Sequence, residues 1–170
     1  VRGSQVDANH AQKVPKPVSS RALTAPFEEA PNLVYPSDRG GSMYAIAIEQ
    51  GALVWRERAD PRPGPGEALL RVRAAGVNRA DLQQRAGHYP PPSGASDVLG
   101  LEVAGEVLEA PVGSGFEVGD RVHTLLPGGG YAQRVAVSAR LLMRTPDTLD
   151  DVEAAALPEV HYTAFLNLFF

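Results

Sequence analysis

The sequence has 170 residues, a formal net charge of −4, 44% apolar and 21% charged residues, and no cysteine. That length suits one domain with a real core rather than two full-sized ones, and the lack of cysteine excludes disulfides, thiolate-bound zinc, iron–sulfur clusters and a cysteine nucleophile. The acidic balance disfavours a nucleic-acid partner, and no apolar run reaches the roughly 20 residues of a membrane helix, nor does a signal-peptide pattern stand at the start.

Residues 1–42 carry five prolines among polar filler, with no sustained hydrophobic period, so nothing there buries enough apolar surface to offset chain entropy. Both lysines, Lys13 and Lys16, lie in this stretch, whereas the region from Met43 onward has 11 arginines, 16 acids and no lysine. The change predicts Met43 as the natural start and residues 1–42 as a tag, linker or upstream extension, with a genuine disordered arm as the alternative. Glycine (17) and proline (15) together make about a fifth of the chain, which argues for many short strands rather than a helical bundle.

From Met43 the pattern is one of strands and turns. Tyr44, Ile46 and Ile48 alternate with Ala45, Ala47 and Glu49, and Gln50-Gly51 reads as a hairpin turn into a second strand over 52–58. Pro61 to Gly66 form a stiff loop, followed by an alternating strand over 67–75. At Asn78–Ala86 the two-residue period stops. Asn78 can cap a short helix there, with Asp81 in its first turn, where a negative charge suits the helix dipole. His88 to Gly94 form a proline-rigid surface loop. A long strand is expected over Val98–Ala110, then strands over 121–126 and 131–137 after the turns Val118-Gly119-Asp120 and Pro127-Gly128-Gly129-Gly130. Asp150 or Asp151 caps a helical stretch over 152–157, Pro158 interrupts it, and residues 159–170 continue as a helix with Val160, Thr163, Ala164 and Leu168 on one face. The chain stops within this element, which predicts a truncation.

The glycine clusters do not read as a phosphate cradle. A dinucleotide fingerprint sets its glycines between a strand and a helix, so that a helix N-terminus faces the pyrophosphate. Here both Gly128-Gly129-Gly130 and Gly113-Ser114-Gly115 lead into strand-like sequence. Their expected work is backbone geometry with positive φ.

Three segments, Gly76-Val77-Asn78-Arg79-Ala80-Asp81-Leu82, Gly87-His88-Tyr89-Pro90-Pro91-Pro92 and Leu99-Gly100-Leu101-Glu102-Val103-Ala104-Gly105, occur in this order. They are followed by Val118-Gly119-Asp120-Arg121-Val122, the Leu126–Ala132 segment and Ala156-Leu157-Pro158-Glu159. Together they make residues 43–170 resemble the N-terminal, GroES-like catalytic domain of the medium-chain dehydrogenase/reductase superfamily, in its zinc-free quinone oxidoreductase branch. The resemblance implies a mainly β, partly open barrel with short helices over residues 43–158. It also implies that residues 159–170 begin a helix leading to a Rossmann domain that the chain lacks.

The resemblance also implies chemistry. Zinc alcohol dehydrogenases of the superfamily have a metal-binding cysteine where Asn78 stands and a histidine where Leu101 stands, and they carry a four-cysteine zinc loop. None of these is present, so no metal is expected. The reaction left is hydride transfer from NADPH to a quinone or an activated alkene. Most of the cofactor would be held by the absent domain, and the 170 residues alone would be inactive. A homodimer at full length, a cytoplasmic location, and no nucleic-acid or membrane partner complete the expectation. A stand-alone GroES-like binding or assembly module is the alternative, and a ring many times heavier than 18.0 kDa on size exclusion would identify it.

Asn78 and Tyr89 are the candidate catalytic residues, and Asn78, Tyr89 and Thr163 the candidate cofactor contacts. Tyr89 sits in a proline-stiffened loop that would hold its ring at small entropic cost, and its family counterpart lies in the cleft against the cofactor. Asn78 could orient the nicotinamide or a substrate carbonyl, besides capping the helix. The family places a threonine like Thr163 beside the nicotinamide; otherwise its hydroxyl bonds back to the preceding turn. Glu102 reads as a buried acid paired with an arginine, Asp81 as a helix-start charge or a partner of Arg79 or Arg85. Arg62, Arg71 and Arg73 read as solvated, His88 and His123 as surface or satisfied histidines, and His161 as interfacial.

Overall fold

A computed structural model describes residues 41–170 of the protein. The extension expected over residues 1–42 falls outside the described residues except for Gly41 and Ser42, and Ser42 already pairs with Ala59.

Strands β1 (Ser42–Glu49) and β2 (Ala52–Ala59) form an antiparallel hairpin. Its two-residue turn holds Gln50 at φ 51° and Gly51 at φ 78°, the pair of positive angles that matches the right-handed twist of the flanking strands. The smaller residues of β1, Ala45 and Ala47, face inward with Met43, while Tyr44 is exposed and meets Trp55 of β2 edge to face. Inward room is limited because Met43 and Ala45 pack on Val98 and Ala132.

The second sheet contains β3 (Glu67–Ala75), β4 (Glu102–Glu109), β5 (Arg121–Leu125), β6 (Arg134–Ser138) and β7 (Met143–Arg144), in the antiparallel order β6-β3-β4-β5-β7. It does not close on itself, so the architecture is mainly β with open sheets and short helices, the fold class implied by the resemblance. Alternation along β3 and β4 sends Leu70, Val103 and Val107 into a core completed by Val122, Val135, Val137 and Leu142. At Gly105, opposite Val72, the backbones approach so closely that an added Cβ would lie 2.0 Å from the Arg71 carbonyl oxygen.

Two expected strands are shorter than their patterns. Over 98–110 the ladder begins only at Glu102, because Gly100 takes φ 104° and turns the chain before the strand starts. Over 131–137 it begins at Arg134. Residues 131–133 instead join the hairpin to the larger sheet: Ile46 N–H donates to Tyr131 O at 2.8 Å, Gln133 N–H to Tyr44 O at 3.0 Å, and Val72 N–H to Gln133 O at 2.9 Å. The short strand β7 and a 3₁₀ turn over Ala139–Leu141 lie in a region where the sequence pattern predicted nothing.

Three helices complete the described chain: α1 (Arg79–Arg85), α2 (Asp151–Ala155) and α3 (Pro158–Phe169). Asp150 caps α2, accepting from Glu153 N–H at 2.8 Å. Pro158 is a helix start rather than an interruption, since its missing N–H is no loss at the first helical position. None of the described helices is long and apolar enough to cross a membrane.

Candidate active site

Asn78 follows directly from β3 through Gly76 and Val77, and caps α1 with an extended backbone. The Asp81 carboxylate accepts the Asn78 backbone N–H at 2.8 Å, which ties the helix start back on itself. Asp81 is only 2% exposed. It also accepts the Gly100 N–H at 3.2 Å and the Tyr131 hydroxyl at 2.9 Å. Burial, with the Asp81 hydrogen bond second, pushes the Tyr131 phenol far above its ordinary range, so it serves as a donor. The expected pairing of Asp81 with Arg79 or Arg85 is therefore corrected: its partners are backbone amides and a phenol. Arg85 turns away to the Gly51 carbonyl at 2.8 Å.

Glu102, at the start of β4, is likewise 2% exposed. One oxygen accepts from Asn78 Nδ2 at 2.8 Å and the other from the Glu159 backbone N–H at 2.8 Å. These two donors stand where an arginine was expected, because the β3 arginines lie further along the ladder. Arg71 is opposite Glu106 and, with Arg73, bonds its carboxylate at 3.4 and 3.0 Å, so both are paired rather than simply solvated. Gly76 leaves the space Glu102 occupies, since a Cβ there would lie 2.0 Å from its Oε1.

The triple-glycine loop bonds to the segment that leads into Glu102. Gly129 N–H donates to Val98 O at 2.7 Å, Gly130 N–H to Gly100 O at 3.0 Å, and Tyr131 N–H to Leu99 O at 2.8 Å. These amides are engaged by carbonyl groups rather than aimed at an anion, and a strand follows them.

Of the three candidate residues, Asn78 bonds directly to the buried Glu102, Thr163 lies on the helix whose Glu159 N–H the same carboxylate accepts, and Tyr89 lies on the loop after α1. Thr163 lies one turn beyond Glu159 on α3, the spacing that puts two residues on one helix face. It is exposed, and its carbonyl accepts from Asn167 Nδ2 at 2.7 Å. Tyr89 is 49% exposed on the loop after α1. No hydrogen bond or ring contact joins it to Asn78 or Thr163 among the described residues. That loop is anchored by His88 N–H to Gln83 O at 2.9 Å, Ala95 N–H to Pro92 O at 3.0 Å, and an Arg58–Asp97 ion pair at 3.0 Å.

Sequence reasoning read Glu102 as buried but gave it the wrong partner, and it missed the burial of Asp81. One signal was available: Glu102 is an acid between Leu101 and Val103 in an apolar run, where burial demands hydrogen-bond partners. Among the described residues no three His, Asp or Glu side chains gather in a way that could hold a metal. His123 is buried at 5% exposure, with Nδ1 3.2 Å from the Thr145 hydroxyl, and burial lowers its pKa. His88 and His161 are exposed.

Comparison with known proteins agrees with this architecture. Residues 64–147 match the alcohol dehydrogenase GroES-like domain. The human synaptic vesicle membrane protein VAT-1 homolog is 39% identical over 115 residues, which is 67% of this chain and 29% of that protein. A probable oxidoreductase from Mycobacterium abscessus superposes with a TM-score of 0.68 at 39% identity, covering 74% of this chain and 42% of the other. The quinone oxidoreductase from Thermus thermophilus, whose structure was also solved in complex with NADPH, superposes with a TM-score of 0.61 at 35% identity, covering 75% and 40%. The chain thus spans between 5% and 29% of the length of the curated relatives first matched, and about two fifths of the solved chains.

Proposed function

The chain belongs to the medium-chain dehydrogenase/reductase superfamily through its GroES-like N-terminal domain, and from that premise we propose that it forms the catalytic wall of a zinc-independent, NADPH-dependent oxidoreductase acting on quinones or activated alkenes. The observation that carries this reading is the state of Asn78. Where zinc-bearing relatives have a thiolate, the Asn78 amide nitrogen is committed to Glu102 at 2.8 Å, and the neighbouring Leu101 offers no donor atom. That set does not fit a tetrahedral zinc. Similarity to a quinone oxidoreductase solved with NADPH supports the cofactor and the substrate class.

In this reading the domain covers residues 43–158, and α3 leads from it toward the cofactor. Bound NADPH would supply the hydride. Asn78 would accept a hydrogen bond through Oδ1, the side of its amide not committed to Glu102, and so orient a carboxamide. Thr163 would add a second polar contact from α3. The Tyr89 hydroxyl would donate to the oxygen that gains charge. Among the described residues no glycine-rich turn of the G-x-G-x-x-G kind joins a strand to a helix, so the cofactor's pyrophosphate would be bound by another part of the protein, and the 170 residues alone would not turn over. A homodimer at full length and a cytoplasmic setting belong to the same proposal.

The test is NADPH oxidation by the protein with its dinucleotide-binding part in place, offered small quinones and enones, with and without a chelator. Turnover unaffected by the chelator is expected. Tyr89→Phe should lower kcat/KM by roughly tenfold or more, the scale of one hydrogen bond to developing charge, with an unchanged melting temperature. No oxidation with any such acceptor would reject the substrate class. A Tyr89→Phe enzyme within about twofold of the parent would remove Tyr89 from the site.

A further inference from the structure

We propose that Glu102 is a positioning residue that couples the seat of α3 to the aim of the Asn78 carboxamide. The inference rests on the reading of Asn78 as a site residue and adds what holds it. The two oxygens of Glu102 are divided between two elements: Oε1 takes Asn78 Nδ2 at 2.8 Å, and Oε2 takes Glu159 N–H at 2.8 Å.

A carboxylate accepts and does not donate, so Asn78 must turn its nitrogen toward Glu102 and its oxygen away. An asparagine without such a partner can present either end of its amide to a ligand. Glu102 selects one, and any group that meets Oδ1 of Asn78 must be a donor. On the other side, Pro158 occupies the first position of α3 and has no N–H, so Glu159 carries the first free donor of the helix. Glu102 satisfies it. A shift of α3 that displaces Glu159 therefore acts on the same carboxylate plane that holds Asn78. Thr163, four residues beyond Glu159, moves with it. Gly76 is the structural requirement for the arrangement, because any side chain there would occupy the Glu102 carboxylate position.

The linkage can be tested on the 170-residue chain by NMR and thermal melts, comparing the parent with Glu102→Gln, Asn78→Asp and the Asn78→Asp/Glu102→Gln pair. In the parent, the Asn78 side-chain amide should exchange with water roughly tenfold more slowly than that of the exposed Gln50. In Glu102→Gln the new amide must give its oxygen to Glu159 and its nitrogen to Asn78, which flips. The slow Asn78 proton should vanish while the Glu159 amide stays protected and the melting temperature falls by less than about 4 °C. Asn78→Asp alone sets two carboxylates face to face. It should lower the melting temperature by roughly 8 °C or more and deprotect Glu159, because both groups depend on the one Glu102 carboxylate. The double variant restores a donor–acceptor pair of reversed polarity and should recover both.

Equal exchange of the Asn78 amide in the parent and in Glu102→Gln would overturn the proposal. So would Glu159 protection that is indifferent to Asn78→Asp, or a double variant no better than Asn78→Asp. None of these readouts involves cofactor or substrate. A failure of quinone reduction therefore leaves the linkage standing, and a failure of the linkage leaves the oxidoreductase reading standing.

Discussion

His123 shows how burial alone gives a residue a measurable property. It lies on β5, which pairs with β4 on one side and β7 on the other, and its ring meets the Thr145 hydroxyl at 3.2 Å. Burial lowers its pKa below the ordinary 6.5. The unfolded chain therefore binds this proton more readily than the folded one, and stability at this site rises with pH. The site is neutral to stability above about pH 6.5, where His123 is uncharged in both states, and stability falls as the pH drops below that value. Melting temperatures measured from about pH 7.5 down to about pH 5.5 should decline, and His123→Gln should flatten the decline. Equal slopes in the two proteins would show that other groups govern this range. The same scale separates what could be read beforehand from what could not. Asn78 was legible as a cap because a strand pattern stops and a polar helical one begins beside it. The partners of Glu102 and Asp81 were not, because an acid in an apolar run announces that it needs donors without saying which elements bring them.

Elements were legible where their determinants are local. β3 occupies 67–75 as its alternation predicts, and α1 has its cap at Asn78 and its acid in the first turn. The pattern failed at Val98–Leu101 and at Tyr131–Gln133, where apolar residues continue with the right period but the backbone serves another purpose. Gly100 turns the chain so that residues 98–100 can receive the Gly129–Tyr131 amides, and residues 131–133 bond to β1. Alternation reports which face a residue takes, and not whether its amides find a neighbouring strand. Helix α3 is the third case. It is held through buried Pro158, the Glu159–Glu102 bond, and the Tyr162 hydroxyl, which donates to Met143 Sδ at 2.7 Å. Beyond Tyr162 its apolar residues are exposed, Leu168 at 76%, and the Phe165 ring meets Phe169 and Phe170 of the same helix end. Leu168→Glu should therefore change stability by no more than about 0.5 kcal/mol and reduce self-association at high concentration in sedimentation experiments. A loss above about 2 kcal/mol would mean that this helix end is packed in solution.

At the scale of the molecule, the described residues form two β-sheets with a buried polar corner at Asp81 and Glu102 and no dinucleotide fold. The glycine loops engage their amides internally, and the helix starts at Asn78 and Pro158 are taken by Asp81 and Glu102. Pyrophosphate contacts dominate dinucleotide affinity, so calorimetric titration of the 170-residue chain with NADPH should show millimolar or weaker binding. Micromolar binding would place a phosphate site within these residues and revise the division of labour proposed above. Composition excluded thiolate chemistry within these 170 residues, since no fold can supply a residue type they do not contain. Period and punctuation likewise placed most strands and helix starts, because side-chain alternation, proline and capping act within a few residues of one another. The identity of each buried partner depended instead on segments far apart in sequence. Asn78, Glu102 and Glu159 meet only after β3, β4 and α3 have packed, and the glycines at 76, 100 and 105 are required only where two backbones or a carboxylate arrive. Long-range convergence leaves no period in a sequence, so the site's geometry became visible only in the folded chain.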